Sequence, residues 1–326
     1  MEVLLELALE NLLAPLTLFF LMGVLAGAVK SDLEIPDSIS KALAIYLITA
    51  IGYKGGIALG DQDLSGVWPV LLFAAAFSFF LPFLSFVMLK FFSRLDALNR
   101  ASVAAHYGSV SLVTFTAALT FIESYGMESS GIMIAVLAIM ETPAIMSGLL
   151  LASVFGTSQA FSKRPGILMR EVFLNGTVIL LLGSFVIGYL ASPDQQAAFQ
   201  PFFISPFKGV LSLFLLEMGI LVGRRIEEIR ALGFMPFLFG IVMPLIGGGL
   251  GAYGSSFLGL TAADHILLTV LCASASYIAV PAAMRIALPR SDVSIPLTLS
   301  LAVTFPFNII AGIPLYFWLV QGADIF

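Results

Sequence analysis

Ten stretches of mostly apolar residues, separated by short polar segments, dominate the hydrophobic pattern of this chain. About 20 apolar residues are enough for a helix to cross a bilayer. We therefore predict ten membrane-spanning helices, and we expect the longer ones to tilt or to extend beyond the lipid. The predicted spans are 12–29, 38–60, 67–92, 99–122, 130–155, 171–190, 205–223, 233–258, 264–288 and 294–321.

The composition agrees with this all-α, polytopic prediction. Of the 326 residues, 60% are hydrophobic and 11% are charged, whereas soluble domains contain about 25% charged residues. The net charge is −5, and since the chain has no basic run, a nucleic-acid partner is not expected. The single cysteine, Cys272, excludes a disulfide within the chain and a cysteine-based metal site.

The distribution of charge predicts the orientation. The N-terminal segment has three Glu and no Lys or Arg, unlike a cleavable signal peptide, so we treat the whole chain as mature. Lys and Arg follow the odd-numbered spans, whereas the other loops are acidic. The positive-inside rule then places both termini outside. With such short loops, we expect a bacterial inner-membrane protein with its termini in the periplasm.

Three similar segments recur in the same order at a nearly constant distance. Gly52 and Gly56 match Gly219 and Gly223, Ser109 and Ser111 match Ser274 and Ser276, and Pro143 matches Pro306. The repeat contains five helices, an odd number, so its second copy must be inverted in the membrane. We predict a first repeat at 1–155, a cytoplasmic linker at 156–170 and a second repeat at 171–326. Inverted repeats are typical of secondary transporters.

The fourth and ninth spans contain the most informative segments. Gly108-Ser-Val-Ser and Ser274-Ala-Ser-Tyr-Ile-Ala-Val-Pro lie near mid-membrane, where Gly and Pro favour breaks in the helices. Two broken helices crossing there would direct two helix N-termini at one point, which favours an anion. The candidate hydroxyl donors are Ser109, Ser111, Thr114, Ser274 and Ser276. Alternatively, these small residues only let helices pack closely, which is also the simpler interpretation of Gly52 and Gly56.

Ionisable and amide groups within the spans are candidates for a cation site. Glu141 precedes Thr142 and Pro143, where freed carbonyl groups could help to bind a coupling ion. Asn308 could contribute from the tenth span. Glu217 and Asn308 could equally have structural roles, and Lys54 could simply extend toward the membrane surface.

Enzymatic signatures are missing from the sequence. It contains no H-E-x-x-H motif and no G-x-S-x-G motif, and its two His are far apart. We therefore expect neither an enzyme nor a cofactor, and no metal other than a coupling ion. His106 is interpreted as a hydrogen-bonded packing residue rather than a proton relay.

These segments, taken in order over nearly the whole chain, resemble the sodium-dependent bicarbonate transporters best known from cyanobacteria. The matching stretches are Ile51–Gly56, Gly108–Thr120, Glu141–Ala144, Phe207–Ile226 and Ser274–Arg285. The resemblance implies a homotrimer with elevator-type movement, a bicarbonate site at the two helix breaks, and sodium beside it. It assigns Ser109, Ser111 and Thr114 to one side of the substrate and Ser274 and Ser276 to the other, with Glu141 serving sodium.

The sequence departs from the cyanobacterial pattern at the ninth span. Tyr277 follows Ser276 where the family has an Asp, and Val280-Pro281-Ala282 replaces a Gly-Pro-Pro turn. The linker is also short, although the resemblance still allows a P-II-like cytoplasmic regulator. We therefore include Gly108 and Tyr277 among the substrate-binding candidates and assign Glu141, Thr142 and Asn308 to sodium.

The leading prediction is a sodium-coupled importer of bicarbonate, held by backbone N–H groups and hydroxyls. Three alternatives remain open: a transporter of another small anion such as an organic carboxylate, a sodium/proton antiporter that uses Glu141, and a membrane sensor without flux.

Overall fold

The computed structural model describes residues 2–60, 66–156 and 176–322, and the regular elements in these ranges are all helical. In the first half the helices are α1 (Glu2–Leu13), α2 (Pro15–Ala28), α3 (Asp37–Gly60), α4 (Val67–Phe92), α5 (Ala97–Gly108), α6 (Leu112–Ser124), α7 (Ile132–Ile139) and α8 (Glu141–Phe155). In the second half they are α9 (Gly176–Leu190), α10 (Pro193–Phe203), α11 (Phe207–Arg224), α12 (Ile226–Leu232), α13 (Phe234–Ser255), α14 (Ala262–Cys272), α15 (Ala279–Ala287), α16 (Ser294–Leu299), α17 (Phe305–Phe307) and α18 (Ile313–Gln321), with π-helical turns at Ser300–Thr304 and Asn308–Gly312.

The protein is an all-helical, multi-pass membrane protein. Within the described ranges, seven helical segments are long and apolar enough to cross a bilayer, or eight if the bent pair α1–α2 counts as one span. Two further predicted spans correspond to shorter elements, namely α9 and the interrupted pair α14–α15. The start of the sixth predicted span and the linker beyond Gly156 lie outside the described residues, so the count of ten stays a prediction.

A bend at Ala14 divides the first predicted span. Helix α1 already begins at Glu2, ten residues before the predicted start, and the axes of α1 and α2 differ by 66°. Pro15 occupies the first turn of α2, where its missing N–H costs no hydrogen bond. The apolar run alone predicts one straight span, whereas Pro15 is the local signal for both the extra helix and the bend.

The predicted spans leave residues 191–204 as a loop, but most of this segment forms the helix α10. Ser192 and Gln195 form a capping box around the first turn, and Pro193 is the first helical residue. Both features are signals of a helix start that can be read from sequence. The segment is too polar to be recognised from apolar periodicity alone.

Small residues let two helix pairs approach closely. In the α2–α11 pair, a Cβ added to Gly23 would overlap the carbonyl oxygen of Leu216, and one added to Gly219 would overlap that of Phe20. In the α3–α9 pair, Gly56 lies in the same way against Phe185 and Gly188 against Tyr53. Close packing is therefore the role of the G-x-x-x-G segments, as the simpler interpretation of the sequence proposed.

The segment Ala97–Ser124, formed by α5 and α6, is enclosed by the rest of the protein. All residues of its most apolar 18-residue stretch are buried, whereas only 39% of the residues in the corresponding stretch of α4 are buried. Backbone that leaves helical geometry is tolerated at membrane depth only where protein or a cavity surrounds it. The enclosure of this segment therefore makes an interruption between α5 and α6 possible.

Candidate anion and sodium site at two helix interruptions

The first interruption separates α5 from α6. Helix α5 ends at Gly108, and Ser109 and Ser111 have extended backbone conformations. The Ser111 hydroxyl oxygen accepts a hydrogen bond from the Thr114 N–H at 3.2 Å, which caps the start of α6. The Gly-Ser-Val-Ser segment thus ends one helix and starts the next.

The second interruption, at 273–278, separates α14 from α15. The Ser276 hydroxyl oxygen lies 3.5 Å from the Val280 amide nitrogen. Pro281 lies in the first turn of α15, where a proline sacrifices no helical hydrogen bond. This second segment therefore repeats the serine-before-helix arrangement of the first.

Hydrogen bonds join the two interruptions directly. The Ser111 N–H donates to the Ser274 hydroxyl oxygen at 3.0 Å, and the Ser276 N–H donates to the carbonyl oxygen of His106 at 2.8 Å. The buried backbone groups that each interruption frees are thus partly satisfied by the other. These contacts bring the two serine-rich segments together in the structure.

Asn308 also reaches the second interruption. Its side-chain nitrogen donates to the carbonyl oxygen of Ala273 at 2.9 Å, and its side-chain oxygen accepts from the Tyr316 hydroxyl at 3.4 Å. Asn308 is fully buried and lies in a π-helical turn, a feature that often marks functional sites. In this conformation, both ends of its amide serve to hold the interruption in place.

A small cavity lies beside these contacts. The space open to the centre of a water-sized sphere is about 10 Å³, which is room for about one water molecule. Its lining residues are Val110, Ser111, Leu112, Glu141, Ser276, Tyr277, Ile278 and Ala279. The structure therefore brings Glu141 to both interruptions and to the first residues of α6 and α15.

A comparison with models of protein families identifies the family to which this chain belongs. The family model of the Na⁺-dependent bicarbonate transporter superfamily matches residues 15–321, which include every residue of the cavity. The chain belongs to this superfamily. A comparison with curated proteins finds no match. Membership in the superfamily points to bicarbonate and sodium as the transported species and to a transporter rather than an enzyme.

Three polar atoms are buried at or next to the small cavity. None of them has a hydrogen-bond partner of good geometry among the described residues. They are the Ser109 Oγ, the Glu141 Oε2 and the Tyr277 hydroxyl oxygen, whose contact with Ser111 lacks hydrogen-bond geometry. Buried polar groups are nearly always paired in native structures. Oxygen atoms of carboxylates and hydroxyls suit a hard cation, and hydroxyl groups can also donate to an oxyanion.

His106 lies at the end of α5, directly behind the first interruption. Its Nδ1 is 2.7 Å from the Ser102 carbonyl oxygen, and because a carbonyl only accepts, we assign the proton to Nδ1. This bond and complete burial support its interpretation as a hydrogen-bonded packing residue. The Nε2 atom has no partner among the described residues.

Three other candidates lie near the cavity but do not line it. A Cβ added to Gly108 would overlap Pro82, so this glycine lets α5 approach α4. Thr114 is buried and contributes its N–H to the Ser111 cap. Thr142 is half-buried beside Glu141. Its role in sodium binding therefore remains a prediction.

Lys54 makes a contact that was not predicted from the sequence. This residue forms an ion pair with Glu123, which connects α3 to the end of α6. Lys54 was expected only to extend toward the membrane surface. These two charged residues are 69 positions apart, so no local sequence pattern predicts that they pair. Only the tertiary structure brings them together.

Proposed function

We propose that the protein imports bicarbonate in symport with sodium, and that the substrate binds between the two helix interruptions. The observation that carries this proposal is the pair of hydrogen bonds between the segments, Ser111 to Ser274 and Ser276 to His106. These two hydrogen bonds lie next to the small cavity, which is lined by the first residues of α6 and α15. Such a crossing is expected of an anion site built into a membrane.

The anion would be bound by fixed dipoles and neutral donors. The first turns of α6 and α15 carry free N–H groups and the positive ends of their helix dipoles. Hydroxyl groups would complete the site and orient the planar anion. The proposed substrate-binding residues are Gly108, Ser109, Ser111, Thr114, Ser274, Ser276 and Tyr277.

The position of Glu141 gives a physical reason for coupling to sodium. Glu141 is 6% exposed and lines the cavity that the anion would enter. A carboxylate and an anion at close range repel each other strongly in a medium of low dielectric constant. A sodium ion between them would remove this repulsion. The proposed sodium ligands are Glu141, Thr142 and Asn308.

Alternating access is supported by the size of the cavity. Bicarbonate is larger than the single water that this conformation accommodates, so the site must open for the substrate to enter. We propose an elevator-type movement of the elements that contain the interruptions, relative to the closely packed pairs α2–α11 and α3–α9.

Further features complete the proposal. The equivalent packing of α2 on α11 and of α3 on α9 through Gly-rich faces supports two inverted five-helix repeats and ten spans. We propose a homotrimer in the bacterial inner membrane, with both termini in the periplasm and a P-II-like protein as a candidate regulator on the cytoplasmic face.

Uptake of radiolabelled bicarbonate into proteoliposomes tests this function, with and without an inward sodium gradient, at a pH where bicarbonate dominates over CO₂. We expect uptake that follows the sodium gradient. Uptake that ignores the gradient would refute the coupling. No bicarbonate uptake by folded protein would refute the substrate, and a screen of small carboxylates and of proton-coupled exchange would follow.

A further inference from the structure

A second, larger cavity lies between the α1–α2 bend, α6, α11 and the C-terminal helices. Its volume is about 390 Å³, within the usual range for small-molecule sites. The lining residues include Pro15, Leu16, Thr120, Phe121, Lys208 and Ile313. None of these residues lines the small cavity at the interruptions.

One part of this cavity is electropositive. The first turns of α2 and α11 both line it, and neither helix has a side-chain cap. Uncapped N-termini present free N–H groups and a partial positive charge. Lys208 adds a full positive charge, and the lining residues include no Asp or Glu. Glu123, which lines the adjoining cavity with Lys208, is paired with Lys54.

Thr120 supplies an independent sign of a ligand. It lines the cavity, is 7% exposed, and its hydroxyl has no hydrogen-bond partner within the described part of the chain. Thr116, one turn earlier on α6, shows the usual alternative, because its hydroxyl donates to the Leu112 carbonyl oxygen at 2.7 Å. A threonine hydroxyl can rotate to donate to an anion held at the two helix N-termini.

Most of the remaining lining is hydrocarbon, contributed mainly by Leu16, Phe121, Leu215, Ile309 and Ile313. The side chains of Asn11, Ser124 and Ser212 also line the cavity, but each already donates to a backbone carbonyl oxygen. A small hydrated oxyanion would lose water there without gaining partners. A ligand with a negative head and an apolar chain would match both parts of the cavity.

We infer that this cavity binds an organic monocarboxylate. The carboxylate lies at the N-termini of α2 and α11 with Lys208 and Thr120, and the hydrocarbon chain lies along Phe121 and Ile313. The ligand contacts both the α2–α11 pair and α6, so it opposes any movement between them. The inference does not depend on the proposed bicarbonate function.

Equilibrium binding of radiolabelled acetate, butyrate and hexanoate to the full-length protein in nanodiscs tests this site, with binding to empty nanodiscs subtracted. We expect the affinity to rise about threefold to fourfold for each added methylene group. Lys208→Gln and Thr120→Val should each weaken hexanoate binding by about tenfold, since each removes a partner of a charged group. The matched controls Lys90→Gln and Thr116→Val should bind like the wild type, because neither residue lines the cavity.

Several results would overturn the inference. These are an affinity independent of chain length, equal binding of hexylamine, or hexanoate binding that both cavity variants retain. If affinity levels off once the chain fills the cavity, the ligand is a water-soluble acid, whereas a rise continuing to palmitate identifies a fatty acid of the bilayer. Ser274→Ala should retain hexanoate binding even if it abolishes transport, which separates a failure of this site from a failure of the proposed function.

Discussion

The Ser274 hydroxyl accepts a hydrogen bond from the Ser111 N–H at 3.0 Å and donates one to the Leu271 carbonyl oxygen at 2.8 Å. One side chain of the second interruption therefore connects the backbone of the first interruption to the last turn of α14. The two segments are 163 residues apart in sequence.

Replacing Ser274 should impair both stability and transport. Ser274→Ala leaves the buried Ser111 N–H without its acceptor, at a cost of about 1–3 kcal/mol. We expect a lower melting temperature in detergent and a large loss of uptake at permissive temperature. Ser255→Ala is the matched control, since its buried hydroxyl bonds only within α13. Equal effects of the two substitutions would contradict the bridging role of Ser274.

Two buried tyrosines should respond to different extents when the hydroxyl group is removed. The Tyr107 hydroxyl is 2.6 Å from Thr304 Oγ1. Thr304 donates to the Gly240 carbonyl oxygen, so Tyr107 is the donor. Tyr107→Phe should destabilise the protein by about 1 kcal/mol. The Tyr277 hydroxyl lies near Ser111 without forming a well-aligned hydrogen bond, so Tyr277→Phe should destabilise the protein less than Tyr107→Phe.

The same Tyr277→Phe variant tests the substrate site. If Tyr277 donates to the anion, the KM of the variant for bicarbonate should rise by about tenfold, a larger effect than its small change in stability explains. An unchanged KM would remove Tyr277 from the proposed site.

Glu141→Ala should abolish the dependence of uptake on sodium, because the carboxylate is the charged ligand proposed for this ion. Initial rates at varied sodium concentration measure the effect. Glu227→Gln is the control for loss of an acidic side chain, since Glu227 is exposed and pairs with exposed Lys30. Sodium-driven uptake that persists unchanged in Glu141→Ala would refute the assignment.

Glycine packing should make one position intolerant of a single methyl group. Gly219→Ala places a Cβ against the backbone of α2, so the α2–α11 pair must separate, and we expect a loss of monodisperse protein in size-exclusion chromatography. At Gly249 in α13, an added Cβ meets no atom within 4 Å. Gly249→Ala should therefore behave like the wild type or be slightly more stable. Tolerance of Gly219→Ala would contradict the close contact.

The Lys54–Glu123 ion pair offers a test of movement between α3 and α6. In a Cys272→Ala background, Lys54→Cys and Glu123→Cys can be joined with a short bismaleimide. Because the elevator proposal moves α6 relative to α3, cross-linking should stop transport, and either single cysteine treated alone should not. Full activity of cross-linked protein would exclude movement at this contact. The ion pair itself is partly exposed and should contribute less than about 1 kcal/mol.

The sequence by itself determined the membrane class, the approximate bounds of most spans and the identity of the two serine-rich segments. These features depend on local composition: apolar length specifies a span, and Gly or Pro weakens a helix wherever it occurs. Val67–Phe92, for example, was predicted at its observed bounds. The helix that begins at Pro193 could also have been predicted, because Ser192, Pro193 and Gln195 together form a local signal of a helix start.

Only the tertiary structure decided which groups meet. The bond from Ser111 to Ser274, the position of Glu141 beside Tyr277 and the pairing of Lys54 with Glu123 each join residues distant in sequence. The same holds for the larger cavity, whose wall combines the bend at Ala14, one face of α6 and the start of α11. A single sequence specifies the faces of each helix, but packing between helices selects which faces come into contact, and with them the chemistry of each site.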